Sequence, residues 1–581
     1  MSTVTSILPI SNAITPVNCY VSIYPFEGGQ WHFSTDISQP EAYSGILSCT
    51  VSKNIRNPNS GTFSILLSPG GPTGVKSFPS WTEVLTPMSL TVIGMGRGTE
   101  ESIVMVGFVL SVRESQRWNG NRVERVIQVD GADFSYIFTT RNYFNLAWLA
   151  GPGSILLPGN PGAGYAYAVS HSALTGTPDG LADTWYNKIM LQILQYLQFA
   201  GDSGPLGFGE IVGYIFQEYT PAAPFIPFNS NFISSTGSWM DKFLAFFPFP
   251  FYEYFVYTVS NTVASLSLNN LSQFSKYSTL FENNPFVHAG GHYFEQGAYV
   301  LQVGRLLPFP TLTHTASGQP SGPPNMSLWD NLIVYDLSQT SFQGFIQSNV
   351  AFSESEVSNF YVINPTQISS FLVGAGQATP MSATLLFPFA QDAGSIFRYG
   401  WRPMIKTIEW FSWEVNKQPP KNTSAFSSLG YYLLDQLTSY YEPTPLMARG
   451  TYTNILMPNV FPGNIIRYYP FRDKVLSSNG QQQDATWDFY IEGVDHAFVF
   501  GGQSTTTLTV SRGLPTAVYQ NPDLLAQILT GQAQRLNGQY EAYPPSPGSP
   551  LKYYTYAEAN TALHDAGLSS FGTKTDKNSG S

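Results

Sequence analysis

Four kinds of stretch carry residues able to do chemistry. His288-Ala-Gly-Gly-His292, followed by Glu295, places two imidazoles and a carboxylate close together, the donor types of a zinc site. Its central glycines favour a loop over the helix that would bring both rings to one face, so the spacing loses its meaning, and no HExxH is present. Gly201-Asp-Ser-Gly-Pro205 has the order of a serine nucleophile loop. Pro205 stands where such a loop continues with another glycine, and neither His32 nor His171 sits in the motif a catalytic base requires. Gly94-Met-Gly-Arg-Gly-Thr99 and Gly374-Ala-Gly-Gln-Ala-Thr379 are glycine-rich, yet neither runs on into the Gly-Lys-Ser/Thr of a phosphate loop, so both read as turns. Glu100/Glu101 and Glu354/Glu356 are carboxylate pairs of the type glycosidases use, and as adjacent or near-adjacent loop residues they read as solvated charges. No catalytic, cofactor-binding or metal-binding residue is expected, and the chain is read as no enzyme.

The elements that would have to position such groups are mainly strands. Only 11% of the 581 residues are charged and 15% are aromatic, with 51 Gly and 42 Pro, a profile of loop-rich β structure. Alternation of apolar and polar residues marks one β region in Gly61 to Leu67, Trp81 to Pro87, Ser89 to Ile93, Ile103 to Val109 and Val123 to Val129. A second follows the same grammar in Gly450 to Leu456, Gly463 to Tyr469, Phe489 to His496 and Thr505 to Arg512. The expected fold is mainly β with α+β insertions, with two similar small β-barrels in one chain. No clear sequence repeat is visible. Apolar residues at helical spacing predict a helix over 181–199, and Asn521-Pro522 predicts an N-cap opening a helix to about Arg535. The division expected is a first barrel over 1–145, a mixed insertion over 146–300, a connecting α+β segment over 301–375 and a second barrel over 376–520. A C-terminal helix, a Pro-rich linker (544–550) and a flexible tail fill 521–581.

The net charge of −11 disfavours a protein that grips nucleic acid through phosphate neutralisation. Cys19 and Cys49 are too few for a disulfide framework and have no Cys/His neighbours in sequence, so both read as small buried hydrophobes. The first residues lack a basic stretch ahead of an apolar one, which points to synthesis in the cytoplasm. Phe243 to Val259 is apolar but short and holds Pro248, Pro250 and Glu253, so it reads as an aromatic core segment and no stable membrane insertion is expected. Low charge with abundant aromatics leaves apolar surface that usually meets other subunits, and an obligate assembly is expected.

Several of these segments, taken in order, resemble the baseplate hub (late control) proteins of phage tails and phage-tail-like particles. Gly61 to Leu67, Trp81 to Pro87, Ile103 to Val109 and Val126-Ile-Gln-Val-Asp-Gly-Ala-Asp133 look like the strands of that family's N-terminal barrel. Tyr490-Ile-Glu-Gly-Val-Asp-His496, Gly501-Gly502 and Thr505-Thr-Thr-Leu-Thr-Val-Ser-Arg-Gly513 look like the Val-x-His strand, Gly-Gly turn and Thr-rich strand that end its last barrel. Gln503 and Ser504 replace the aromatic often found before the Thr run. Gly237-Ser-Trp239, Phe251-Tyr-Glu-Tyr-Phe255, Val303-Gly-Arg-Leu-Leu-Pro-Phe309, Leu328-Trp-Asp330 and Ser355-Glu-Val-Ser-Asn359 follow in family order between them, so the resemblance spans about 60–515.

The resemblance implies two tail-tube-like β-barrel domains per chain and a homotrimer that imitates a sixfold ring. It implies a structural adaptor in the virion's tail baseplate, with the tail tube or distal tail protein on one face and the central spike or tail fibre on the other. The tape measure protein's C-terminus and baseplate wedge proteins are further implied partners, with DNA only in transit. An acidic wall suits such a bore because it repels phosphates. Edge pairing between subunits would leave aromatics such as Phe134, Phe138 or Tyr490 to fill the seams. The alternatives are a tail-associated cell-wall hydrolase, which needs a perturbed carboxylate or histidine constellation, and a receptor-binding or capsid protein, which predicts a jelly roll or repeats.

Overall fold

The computed structural model describes residues 17–24, 26–27, 30–31, 45–57, 61–68, 85–97, 100–118, 123–140, 142–144, 212–216, 236–260, 298–312, 322–338, 344–368, 389–414, 423–471, 474–476, 482–536, 539–542 and 552–554. These residues are mainly β, and their largest element is one sheet of 12 strands. The helix expected over 181–199, the His288/His292 pair, Gly201 to Pro205, Gly374 to Thr379, the 544–550 linker and the tail lie outside the described residues.

The first unit of the sheet comprises β1 (Val17–Tyr24), β2 (Ile46–Asn54), β3 (Thr62–Leu67), β4 (Leu90–Arg97), β5 (Glu100–Trp118) and β6 (Val123–Asp133). Their order is β1-β4-β5-β6-β3-β2. Period-2 alternation turns Cys49, Val51, Phe63, Ile65 and Leu67 to one side, where they meet Cys19 and Val21 of β1, Met95 of β4 and Val129 of β6 in one buried core. β1 and β2 stand at opposite ends of the ladder, yet the side chains of Cys19 and Cys49 are hydrogen bonded, so the sheet curls until its ends meet. β6 closes on Asp133, whose carboxylate accepts the backbone N–H of Ser135 at 3.0 Å and its hydroxyl. That turn starts helix α1 (Tyr136–Thr140). Gly61 is required beside it, because a Cβ there would lie 2.0 Å from Asp133 Oδ2.

Insertions pack beneath. Helix α2 (Trp239–Phe246) opens on a capping box between Ser238 and Asp241. Strands Val212–Phe216, Ala298–Leu306 and Tyr252–Ser260 form a three-stranded sheet in that order. Phe243, Phe247, Phe251, Tyr252, Tyr254 and Phe255 are all buried, so the apolar segment is core. Among the described residues no helix is long and apolar enough to cross a membrane. A four-stranded sheet holds Phe360–Ile368 between Pro403–Glu414 and Phe389–Gln391, with Lys552–Tyr554 outside the latter. Helix α3 (Thr423–Tyr441) packs on it through a second half that is buried all round.

The second unit comprises β7 (Val334–Asp336), β8 (Phe345–Phe352), β9 (Ala448–Ile455), β10 (Ile465–Tyr468), β11 (Trp487–Val499) and β12 (Thr505–Pro515), followed at once by helix α4 (Thr516–Tyr519). β7 and β8 come from the stretch read as a connecting segment, whereas Phe389–Gln391 and Pro403–Glu414, inside the expected 376–520 unit, belong to the separate four-stranded sheet. Helix α5 (Pro522–Leu529) has Asn521 as its N-cap, as the sequence predicts, but stops short of Arg535. Gly531, at φ 68°, turns the chain there, and Ala533–Leu536 is a strand.

The two units repeat one strand order. β2-β3-β6-β5-β4 in the first matches β8-β9-β12-β11-β10 in the second, and β6 and β12 each lead into a short helix. Two ladder slips also fall at equivalent positions. The β2–β3 ladder slips between Ile46 and Ser48, and the β8–β9 ladder slips between Phe345 and Gln347. The β5–β6 ladder slips between Val109 and Ser111, and the β11–β12 ladder between Ile491 and Gly493. Bulges at equivalent positions bend and twist both sheets in the same places. The outermost strands differ, since β1 joins β4 antiparallel while β7 joins β10 parallel.

Candidate functional site

The feature that organises the chain is the joint between the units. β2 runs antiparallel to the second half of β11, from Asn54 opposite Gly493 to Ser48 opposite Val499. Ile55 N–H donates to Glu492 O at 2.8 Å and Phe500 N–H to Leu47 O at 3.0 Å, which extends the ladder at both ends. The first half of the same β11 edge carries β10, from Tyr468 opposite Trp487 to Ile465 opposite Tyr490. One long strand therefore holds its own unit's neighbour and then the neighbouring unit's outer strand.

Buried polar groups lock this joint. Thr506 Oγ1 accepts Met457 N–H at 2.8 Å and is hydrogen bonded to His496 Nδ1 at 2.9 Å. Burial, with the charge of Lys53 adding to it, pushes the His496 pKa down to about 3, so the imidazole is neutral. Burial also lowers Lys53 to about 8, with Asp133 opposing the shift. Asp133 is itself raised by burial, against the Ser135 hydrogen bonds and the Lys53 charge.

A second lock sits at the β11 bulge. Glu492, the inserted residue, takes an ion pair from Arg56 and the Ser511 hydroxyl at 2.5 Å. Burial is the largest single influence and would raise the Glu492 carboxyl, but the Arg56 charge and the hydrogen bonds from Arg56 and Ser511 together outweigh it and the pKa is lowered. The Arg56 guanidinium lies over the ring of Phe249 at 4.2 Å.

A third lock ties the insertion sheet to β11. Arg305 Nε donates to Glu253 Oε1 at 2.5 Å, and its Nη2 donates to Gly463 O at 2.7 Å and to Tyr490 Oη at 3.2 Å. Tyr490 Oη in turn donates to Glu253 Oε2 at 2.6 Å. Burial, then the Glu253 charge, raise the Tyr490 phenol well above its usual range. Each member of this cluster is hydrogen bonded to another, and the effect of the cluster is to fix where elements sit.

The sequence-level candidates separate accordingly. Gly94 to Arg97 lie in β4 and hold no loop. Glu354 and Glu356 are exposed, and Glu356 pairs with Arg449 at 2.5 Å. Among the described residues no three His, Cys, Asp or Glu side chains gather as metal ligands. Cys19 and Cys49 are buried and free, but they are neighbours, which their 30-residue separation hid. Phe134, Phe138 and Tyr490 do not wait at a subunit seam. Phe134 packs between Phe108, at a tilt, and Phe138, edge-on, Phe138 meets Phe243, and all three expected seam residues are buried within the chain because the insertions cover them.

Of the two strands that make the joint, β11 is foretold by Phe489 to His496, whereas β2 is not among the strands read from the sequence. β2 was open to detection, since Cys49-Thr-Val51-Ser-Lys53 alternates at period 2 with its first and third positions buried. β8 was harder, because its burial alternates only weakly. The stretches of sheet edge with no strand partner among the described residues include the outer edge of β8 and the edge of β5 beyond Phe108, where β4 ends.

The fold defines a β-rich chain made of two like units joined edge to edge. No protein-family model matches it, and no curated protein matches it in sequence. In backbone trace it is similar to the tail protein from Neisseria meningitidis MC58, at 10% identity over 85% of this chain and 96% of that one, with a TM-score of 0.33. It is similar also to the prophage MuSo2 43 kDa tail protein from Shewanella oneidensis, at 9% identity over 86% and 98% of the two chains and a TM-score of 0.33. The prophage tail protein gp18 from Listeria monocytogenes EGD-e gives 8% identity over 88% and 99%, with a TM-score of 0.31.

Proposed function

We propose that this chain is a structural component of a phage-type tail, the baseplate hub. Three copies would present six like β units in a ring, so a threefold assembly offers a near-sixfold face to the tail tube and a threefold face to a central spike or fibre. The observation that carries this reading is the repeated order β2-β3-β6-β5-β4 and β8-β9-β12-β11-β10, joined side by side through β2 and β11. Two quasi-equivalent units in one sheet are what a symmetry adaptor needs, and the ordered hub-like motifs from about 60 to 515 agree with it.

In this reading each unit is a tube-type barrel, and the role is geometric: interfaces hold partners in place and a bore lets DNA through, with no reactive group. The tube or distal tail protein, the tape measure protein's C-terminus and wedge proteins are the proposed partners, and the tail baseplate is the proposed location. Electron microscopy of the assembled particle tests it. Density for three copies between tube end and spike is expected, and six copies, or placement in the capsid, would overturn it.

A further inference from the structure

The joint inside the chain is a template for one between chains. The β2 edge that meets β11 has its equivalents on β8, with Asn54 falling on Ser353 just past its end, and every residue of the β11 edge has one on β5. Equating the bulges, Leu47 corresponds to Ile346 and Glu492 to Leu110. Counting outward, Cys49, Thr50 and Val51 then correspond to Ser348, Asn349 and Val350, while His496, Ala497 and Phe498 correspond to Glu114, Ser115 and Gln116. Both stretches so identified, β8 and the far half of β5, have edges with no strand partner among the described residues.

From this the geometry points to an interface between copies of this chain, in which β8 of one copy pairs antiparallel with residues 110–118 of β5 in the next. The register follows from the internal ladder: Gln347 opposite Arg117, Asn349 opposite Ser115, Ala351 opposite Arg113 and Ser353 opposite Ser111. The inference rests on the proposed trimer for the number of copies, since three head-to-tail joints of this type alternate with three internal ones and close a ring.

Apolar exposure supports the occupant. Leu110 and Trp118 on β5 and Phe345 and Ile346 on β8 are exposed, Trp118 by 67% and Phe345 by 56%, whereas Ile46, the equivalent of Phe345 beside the made joint, is exposed by 5%. In the inferred register Trp118 N–H faces Ile346 O as Phe500 N–H faces Leu47 O. A bare strand edge flanked by large apolar side chains is an open invitation to pairing, and a second copy supplies the matching shape, bulge for bulge.

Disulfide trapping in the full-length chain tests it. In the internal ladder Phe500 with Leu47 and Glu492 with Ile55 are hydrogen-bonded positions, so the Ala497–Thr50 type of pair is non-hydrogen-bonded, with Cα atoms close enough for a disulfide. Ser115→Cys with Asn349→Cys is therefore expected, on mild oxidation, to convert the chain to a covalent trimer that stops at three. Ser115→Cys with Ser348→Cys, one residue out of register, is expected to give none. Ser348→Pro removes an N–H aimed at the free edge and leaves the β8–β9 hydrogen bonds, so loss of the trimer with an unchanged melting temperature of the monomer is expected. A trimer in native mass spectrometry that neither crosslinks in Ser115→Cys/Asn349→Cys nor dissociates in Ser348→Pro overturns this pairing and leaves the trimer standing. An unmodified chain that stays monomeric at all concentrations overturns the trimer and the pairing together.

Discussion

The thiols of Cys19 and Cys49 are hydrogen bonded to one another although their strands, β1 and β2, are separated by β4, β5, β6 and β3 in the ladder. The contact records the curl of the first unit, and both residues lie in its core. The hydrogen bond with Cys49, and then burial, raise the Cys19 thiol, which keeps it protonated and unreactive. Native protein is therefore expected to leave both cysteines unlabelled by a thiol reagent over minutes, with both labelled after denaturation. Rapid labelling of either in native conditions would show that β1 does not close the unit.

Acid should weaken the joint through His496. Its folded pKa, about 3, lies below the ordinary 6.5, so between those values the unfolded chain takes up a proton that the folded chain refuses. Stability is full above pH 6.5 and is lost as pH falls toward 3, by about 2 kcal/mol at pH 5. His496→Asn keeps an acceptor or donor near Thr506 and removes the titration. Denaturant midpoints at pH 7 and pH 5 should differ less for the variant than for the native chain.

Lys53 acts in the alkaline window with the same sign. Its pKa falls from 10.5 to about 8 on folding, so the unfolded chain binds more protons between these values and stability rises with pH across them. Lys53→Met should abolish that rise in urea midpoints between pH 8 and pH 10, and an unchanged slope would place the titration elsewhere.

Removing one member of the Arg305, Glu253 and Tyr490 cluster should be costly. Arg305→Met leaves Glu253 buried without its cation and is expected to destabilise by about 3–5 kcal/mol. The double variant Glu253→Met/Arg305→Met should recover a large part of that loss. Equal midpoints for the single and double variants would mean that the ion pair is not the cause.

Gly450 sits at φ 156° where β9 passes β8, and a Cβ there would fall 1.9 Å from Asn349 O. Gly450→Ala should push β8 off the sheet, at a cost on the order of 2–3 kcal/mol. If the proposed ring uses β8, the same variant lowers trimer content at concentrations where the native chain is fully assembled. Native mass spectrometry across a dilution series reads both effects.

Much of the sheet was readable from local pattern. Ile103 to Val109 and Val123 to Val129 foretell β5 and β6, and Phe489 to His496 and Thr505 to Arg512 foretell β11 and β12, because a strand with one buried face alternates at period 2 whatever its partners. Asn521-Pro522 likewise marks the start of α5, since an N-cap acts on its own first turn. The end of that helix was less visible, because it depends on Gly531 adopting a left-handed backbone beside Glu442 and Asp392.

By itself the sequence determined that the chain is mainly β, that strand-rich regions stand near both its ends and that its aromatic segment at 243–259 belongs in a core. Those facts reside in composition and in neighbours along the chain. Only the tertiary structure decided that the two regions share one strand order with coincident bulges, that β2 and β11 weld them into one sheet, and that Phe134, Phe138 and Tyr490 are spent on interior contacts. Strand pairing joins backbones hundreds of residues apart and is indifferent to most side chains, so partner and register leave little trace in local sequence.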